Sequence, residues 1–128
     1  MRAYLDTSAA GKLLIDEAES EPLASWLDRG EAELAAGFLV ETELRRLATR
    51  FALPQADVTT LLDGVSLYDT PPSLFREAGL LPGRSLRALG ALHLAAAIRI
   101  DCEAILTYDD RLADAAAGVG MKVLAPRR

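Results

Sequence analysis

The 128-residue sequence contains one cysteine, one histidine and no surplus of positive charge. A single cysteine, Cys102, excludes an internal disulfide and so a scaffold stapled for an oxidising compartment. It reads as a small buried hydrophobe in a chain suited to a reducing, cytoplasmic setting. A His/Cys metal cluster is out of reach of this composition, which argues against zinc. No apolar run approaches the ~20 residues that span a bilayer. The opening "MRAYLDTSAAGKLL" lacks the long apolar stretch and cleavage site of a signal peptide, so no membrane association is expected. The formal charge of −5 argues against a general nucleic-acid-binding surface. It leaves room for an enzyme whose acids hold a metal while a local basic patch holds phosphate. Internal repeats and low-complexity linkers are missing as well.

Apolar residues make up 51% of the chain and charged residues 26%, enough to build a core at a length that suits one domain over 1–128. Short apolar runs alternate with helix-like segments. Strands are expected at 2–5, 33–39, 65–69, 104–109 and 122–125. Helices are expected at 8–17, 20–30 (with Ser20 as N-cap), 41–52, 55–64, 71–81, 85–100 and 110–118. Strands alternating with helices imply crossover connections and a mainly parallel five-stranded sheet covered on both faces, an α/β/α sandwich.

In open parallel sheets the ligand crevice lies beyond the carboxyl ends of the strands. Asp6 follows the first strand directly and Asp109 ends the fourth. Glu43 falls in the first turn of the helix after the second strand, at the same edge. Three carboxylates in one crevice repel each other unless a cation sits among them, and hard oxygen donors select Mg²⁺ or Mn²⁺. Each acid also has a plain structural use. Asp6 and Asp109 suit N-caps, and Glu43 suits a pair with Arg46 or Arg50 on its own helix face. Glu41 is spaced to pair with Arg45. His93, on an apolar helix, fits a satisfied core histidine better than a ligand.

Four stretches carry a resemblance: "YLDTSA" at 4–9, "ETELRR" at 41–46, "LRALGALHLAAA" at 86–97 and "LTYDDRL" at 106–112. In their order and spacing the chain resembles the PIN-domain superfamily and, within it, the VapC toxins of bacterial toxin–antitoxin pairs. The resemblance implies a compact α/β/α domain and a Mg²⁺- or Mn²⁺-dependent endoribonuclease that cuts structured RNA such as tRNA or rRNA. It implies a homodimer and a cognate VapB-like antitoxin, whose arginine would suit an acidic pocket. Carried over by position, the metal-site acids are Asp6, Glu43 and Asp109. Ser8 and Thr107 are hydrogen-bonding neighbours of these acids. The implied reaction is phosphodiester hydrolysis by a cation-activated water. Arg45, Arg46, Arg50, Arg84 and Arg87 are candidate contacts to RNA phosphates, against the plainer reading of a scattered solvated surface.

The departure from the family pattern is Gly90, in the middle of the expected helix, where the family carries an aspartate. A glycine inside a helix costs roughly 1 kcal/mol relative to alanine, so the position reads as a vacated ligand site, with Asp101, Asp110 or Asp114 as conceivable substitutes. Two functions follow: an attenuated ribonuclease, or a catalytically impaired PIN fold that acts by binding antitoxin. Other enzyme and signalling classes fit worse. A dehalogenase-type phosphatase wants a second acid where Ser8 stands. A receiver domain with Asp69 as phosphoacceptor wants an acidic pair at Asp6 and a lysine beyond the fifth strand, whereas Lys122 precedes it.

Overall fold

The computed structural model describes residues 1–127. Five strands, β1 (Arg2–Leu5), β2 (Glu33–Gly37), β3 (Ser66–Tyr68), β4 (Ala104–Leu106) and β5 (Lys122–Leu124), form one sheet in the order β3-β2-β1-β4-β5. Every pairing is parallel: Tyr4 lies beside Ala35 of β2 and Ile105 of β4. The connecting helices are α1 (Thr7–Gly11), α2 (Ser20–Asp28), α3 (Leu39–Arg50), α4 (Gln55–Asp63), α5 (Pro72–Gly79), α6 (Ala88–Arg99) and α7 (Asp110–Gly118).

The strand order sets the layers. From β1 the chain steps outward through β2 to β3, then returns to the far side of β1 for β4 and β5. Right-handed crossovers therefore put α1–α4 on one face and α5–α7 on the other. The packing agrees, with α1 and α4 against α3, and α5 and α7 against α6. Alanine dominates the layer between helices and sheet: Ala3, Ala9, Ala10, Ala35, Ala36, Ala48, Ala97 and Ala104 are fully buried. Small side chains let helix backbones approach the strands closely. Tyr4, Leu44, Leu94 and Leu112 fill the remaining volume, and Cys102 is buried among them. Burial pushes the Cys102 thiol up to about 11, as expected for an inert structural cysteine.

Several elements are shorter or shifted from their sequence-based expectation, each for a local reason. β2 stops at Gly37 because Phe38 already has helical dihedrals and α3 begins at Leu39. Glu43 therefore lies in the second turn of α3, not the first. β4 stops at Leu106. Thr107 keeps one ladder bond, to the Leu124 carbonyl, before Asp109 caps α7. The helix expected over 8–17 reduces to α1 and a run of turns. Ser20 is not the N-cap of α2 but its first residue. Its hydroxyl closes the preceding turn, accepting from the Glu17 amide and donating to the Ile15 carbonyl. The helix expected from 85 starts at Ala88, because Arg87 is extended and Leu86 closes a turn onto Gly83. Gly90 is thus the third residue of α6 rather than mid-helix.

The chain reverses its stepping direction between β1 and β4, so their carboxyl ends open the crevice in which a ligand is expected. No helix among the described residues is long and apolar enough to cross a membrane.

Candidate active site

Asp6 leaves the end of β1 and turns the chain into α1. Its Oδ1 accepts from the Ala9 amide (3.0 Å), so the N-cap role is real. The same carboxylate does more than cap. Oδ1 also accepts from the Ser8 hydroxyl (2.7 Å), and Oδ2 from the Thr107 hydroxyl at the end of β4 (2.9 Å). Ser8 Oγ in turn accepts from the Tyr108 amide, and Thr107 Oγ1 from the Asp109 amide. Two hydroxyls therefore latch the ends of the two central strands around one carboxylate. Asp6 is only 4% exposed. Burial pushes its carboxyl up, and the hydrogen bonds from Ser8, the Ala9 amide and Thr107 offset this only in part. Among the described residues no lysine or arginine forms an ion pair with Asp6; such a buried carboxylate is costly, and a cation at the site would relieve that cost.

Glu43 faces Asp6 across a pocket of 590 Å³ lined by Asp6, Thr7, Ser8, Glu43, Gly90, His93 and Asp109, with Arg87 and Arg111 on its wall. Glu43 Oε1 accepts from the Thr7 hydroxyl (2.8 Å) and from His93 Nε2 (2.5 Å). Burial acts to raise this carboxyl, but the hydrogen bonds from His93 and Thr7 outweigh it and hold it below the usual range. Asp109 lies at the mouth. Its Oδ1 accepts from the amides of Arg111 and Leu112 as the N-cap of α7.

The three acids singled out from sequence thus line one pocket, and Ser8 and Thr107 contact Asp6. The arginines divide. Arg87 lines the pocket; Arg84 lines an adjoining cleft with Ser85, Asp114 and Arg111. Arg45 is turned away, bonded to Glu41, Gln55 and Thr59. Arg46 and Arg50 are exposed on α3 and do not line the pocket, since they share the face of Glu43 but lie one and two turns farther along the helix. Arg111, which sequence reasoning passed over, lines both the pocket and the cleft. Two residues past Asp109, it was within reach of a positional argument. Thr7 was missed as well; His93 is the satisfied buried histidine expected, 4% exposed and bonded to Tyr4 and Glu43, but its place against an acid of the pocket was not foreseen. Spacing held the signal for both: His93 is one turn beyond Gly90 on the same helix face, and Thr7 is the first helical residue after Asp6.

Gly90 lines the pocket but offers no donor. A Cβ built there would meet Leu86 Cδ1 at 3.1 Å and Leu112 Cβ at 4.0 Å. A Cβ therefore fits once the flexible end of Leu86 gives a few tenths of an ångström. Among the described residues no three Asp, Glu, His or Cys side chains close on a common point as a complete metal cage. The available donors fit a hard cation that is held by one or two carboxylates and completes its shell with water and substrate phosphate, the habit of Mg²⁺.

Comparison with known proteins agrees with this architecture. The family model described as PIN domain matches residues 3–118. Ribonuclease VapC35 of Mycobacterium tuberculosis is 37% identical over 96% of both chains. Ribonuclease VapC47 of the same species is 38% identical, again over 96% of each. Among solved structures, the Sarcin-Ricin loop cleaving toxin VapC20 of M. tuberculosis superposes with a TM-score of 0.77 over 97% of this chain and 99% of that one, at 15% identity. A toxin-antitoxin complex from Klebsiella pneumoniae gives 0.74 over 98% of each chain, at 16% identity.

Proposed function

The chain belongs to the PIN-domain family, among its VapC ribonucleases, and from that premise we propose that it is a toxin-type endoribonuclease cutting structured RNA, tRNA or rRNA, with Mg²⁺ or Mn²⁺. The observation that carries the reading is the buried Asp6 carboxylate, held by two hydroxyls and an amide in a pocket shared with Glu43 and Asp109.

The residues divide the work. Asp6 and Glu43 would hold the cation, with Asp109 adding charge at the mouth. When bound, the cation neutralises the scissile phosphate and makes water a better nucleophile at neutral pH. Ser8 and Thr107 keep Asp6 from rotating, so the site is oriented before RNA arrives. Arg87 and Arg111 take the phosphates on either side of the cut, and Arg84 extends that basic track. None of these three has an ion-pair partner among the described residues.

Gly90 lines the pocket and supplies no ligand, so the chain acts as an attenuated nuclease. A VapB-like antitoxin and a second copy of the chain are its proposed partners, in the cytoplasm. The antitoxin silences the site by placing an arginine against its carboxylates, since a guanidinium bridges two carboxylates well.

Incubation with tRNA and rRNA fragments in Mg²⁺, Mn²⁺ or EDTA tests the proposal. Discrete cleavage products in either metal, absent in EDTA and absent for Asp6→Ala, are expected. Cleavage that survives EDTA, or none in any metal even at enzyme concentrations equal to the RNA, overturns it.

A further inference from the structure

The buried side chains behind Glu43 form a hydrogen-bonded file whose last member is an acid of the pocket. Tyr4, fully buried on β1, has one hydroxyl with two partners. It accepts from the Gly37 amide at the end of β2 (3.0 Å) and lies 2.7 Å from His93 Nδ1. A phenol has a single proton to give, and the Gly37 amide is itself a donor. The Tyr4 proton therefore goes to Nδ1, which makes Nδ1 the acceptor and leaves the imidazole proton on Nε2. That Nε2–H donates to Glu43 Oε1. The ring is also clamped from the side, with Tyr4 edge-on at 5.6 Å between centroids.

Oε1 of Glu43 thus receives two donors, Thr7 from α1 and His93 from α6, while Oε2 has no protein donor among the described residues. The carboxylate is pinned by one oxygen and open at the other. His93 is 4% exposed, so its ring has no freedom to turn away.

We infer that His93, fixed in one tautomer by Tyr4 and the Gly37 amide, is a positioning residue that presents the free oxygen of Glu43 to the pocket cation. The inference rests on the ribonuclease reading for what Glu43 does, but not for the tautomer or the orientation of its carboxylate. Outer partners of this kind alter metal affinity or activity by about 10–100-fold when removed.

The test uses the intact chain and Mn²⁺ alone as probe, by calorimetry. His93→Phe removes both ring nitrogens with little change of bulk. His93→Gln returns an N–H where Nε2 stood. Tyr4→Phe removes only the hydroxyl that fixes the tautomer. The expected result is Mn²⁺ affinity reduced about 10-fold or more by His93→Phe, restored to within about threefold by His93→Gln, and reduced by a lesser factor by Tyr4→Phe. With RNA at saturating Mn²⁺, the defect falls in kcat, not KM. Where His93→Phe melts without cooperativity, the Tyr4→Phe and His93→Gln pair decides. Equal affinity in all the chains that fold, or His93→Gln as weak as His93→Phe, overturns the inference.

A second readout is independent of metal and catalysis. The chain has one histidine, so ¹⁵N imidazole spectra show one ring. An Nε2–H proton protected from exchange, lost in Glu43→Ala and weakened in Tyr4→Phe, is expected; a ring protonated at Nδ1 alone overturns it. Wild type that shows this proton but binds no Mn²⁺ and cuts no RNA in either metal would remove the ribonuclease reading and leave the positioning in place.

Discussion

Asp6 has two duties that pull against each other. As the cap of α1 and the latch between β1 and β4 it is structural, yet its ionised form is buried and burial pushes its carboxyl above the ordinary aspartate range. The sign of the linkage follows. A carboxyl raised in the folded state makes folding less favourable once pH exceeds its unfolded value, about 4, and the cost grows until the folded value is passed. Asp6→Asn keeps an acceptor for the Ser8 hydroxyl and the Ala9 amide and removes the charge. In EDTA at pH 8 it should melt a few degrees above wild type, the scale of roughly 1 kcal/mol in a domain of this size. The gap should close toward pH 4. Mg²⁺ should raise the melting temperature of wild type and leave Asp6→Asn unmoved. Scanning calorimetry across pH checks all three; a variant less stable than wild type at pH 8 in EDTA would mean that the latch outweighs the buried charge.

At the scale of elements, α6 shows what was legible and what was not. The apolar periodicity of 86–97 announced a buried helix, and α6 buries Ala91 and His93–Ala97. Its start was misread by three residues, because nothing in the composition of 84–87 shows that Leu86 turns back onto Gly83. The consequence is chemical. In a first turn, amide donors lack intrahelical partners and the macrodipole favours an acid by about 0.3–1 kcal/mol, while the mid-helix glycine penalty applies only weakly. Gly90→Asp should therefore cost little stability in EDTA, with Leu86 yielding. It should raise Mg²⁺- or Mn²⁺-dependent RNA cleavage on the order of 10²-fold, the effect of one well-placed electrostatic group. Rates measured side by side decide; equal rates would show that position 90 is no ligand position. The α6–α7 side makes a second prediction. Arg111→Ala should raise KM for RNA several-fold with kcat nearly unchanged, and flatten the salt dependence of binding by about one phosphate contact. Arg50→Ala, far along α3, should change neither. The carboxylates were readable because strand ends and helix starts mark themselves in sequence. Arg111 and Thr7 were marked only by standing just after Asp109 and Asp6, and the Tyr4–His93 contact was not marked at all, since it depends on which face meets which after the strands are ordered.

For the whole molecule, the order β3-β2-β1-β4-β5 puts the acids on both sides of one crossover reversal, and the alternation of strands and helices could not supply that order by itself. The proposed second copy has an apolar surface to draw on, with Phe75 and Leu80 of the α5 region 56% and 78% exposed. Light scattering at micromolar concentration should give twice the chain mass, and a monomer there would remove the dimer from the reading. The latch has a further consequence, in time rather than space. Asp6 and Thr107 are 101 positions apart, and Tyr4 and His93 are 89 apart. During synthesis Asp6 emerges 101 residues before the Thr107 that locks it. Contacts at such sequence separation also form late in folding. On the proposed function, a ribosome that has not yet made β4 carries a chain without the latch and so without an assembled nuclease.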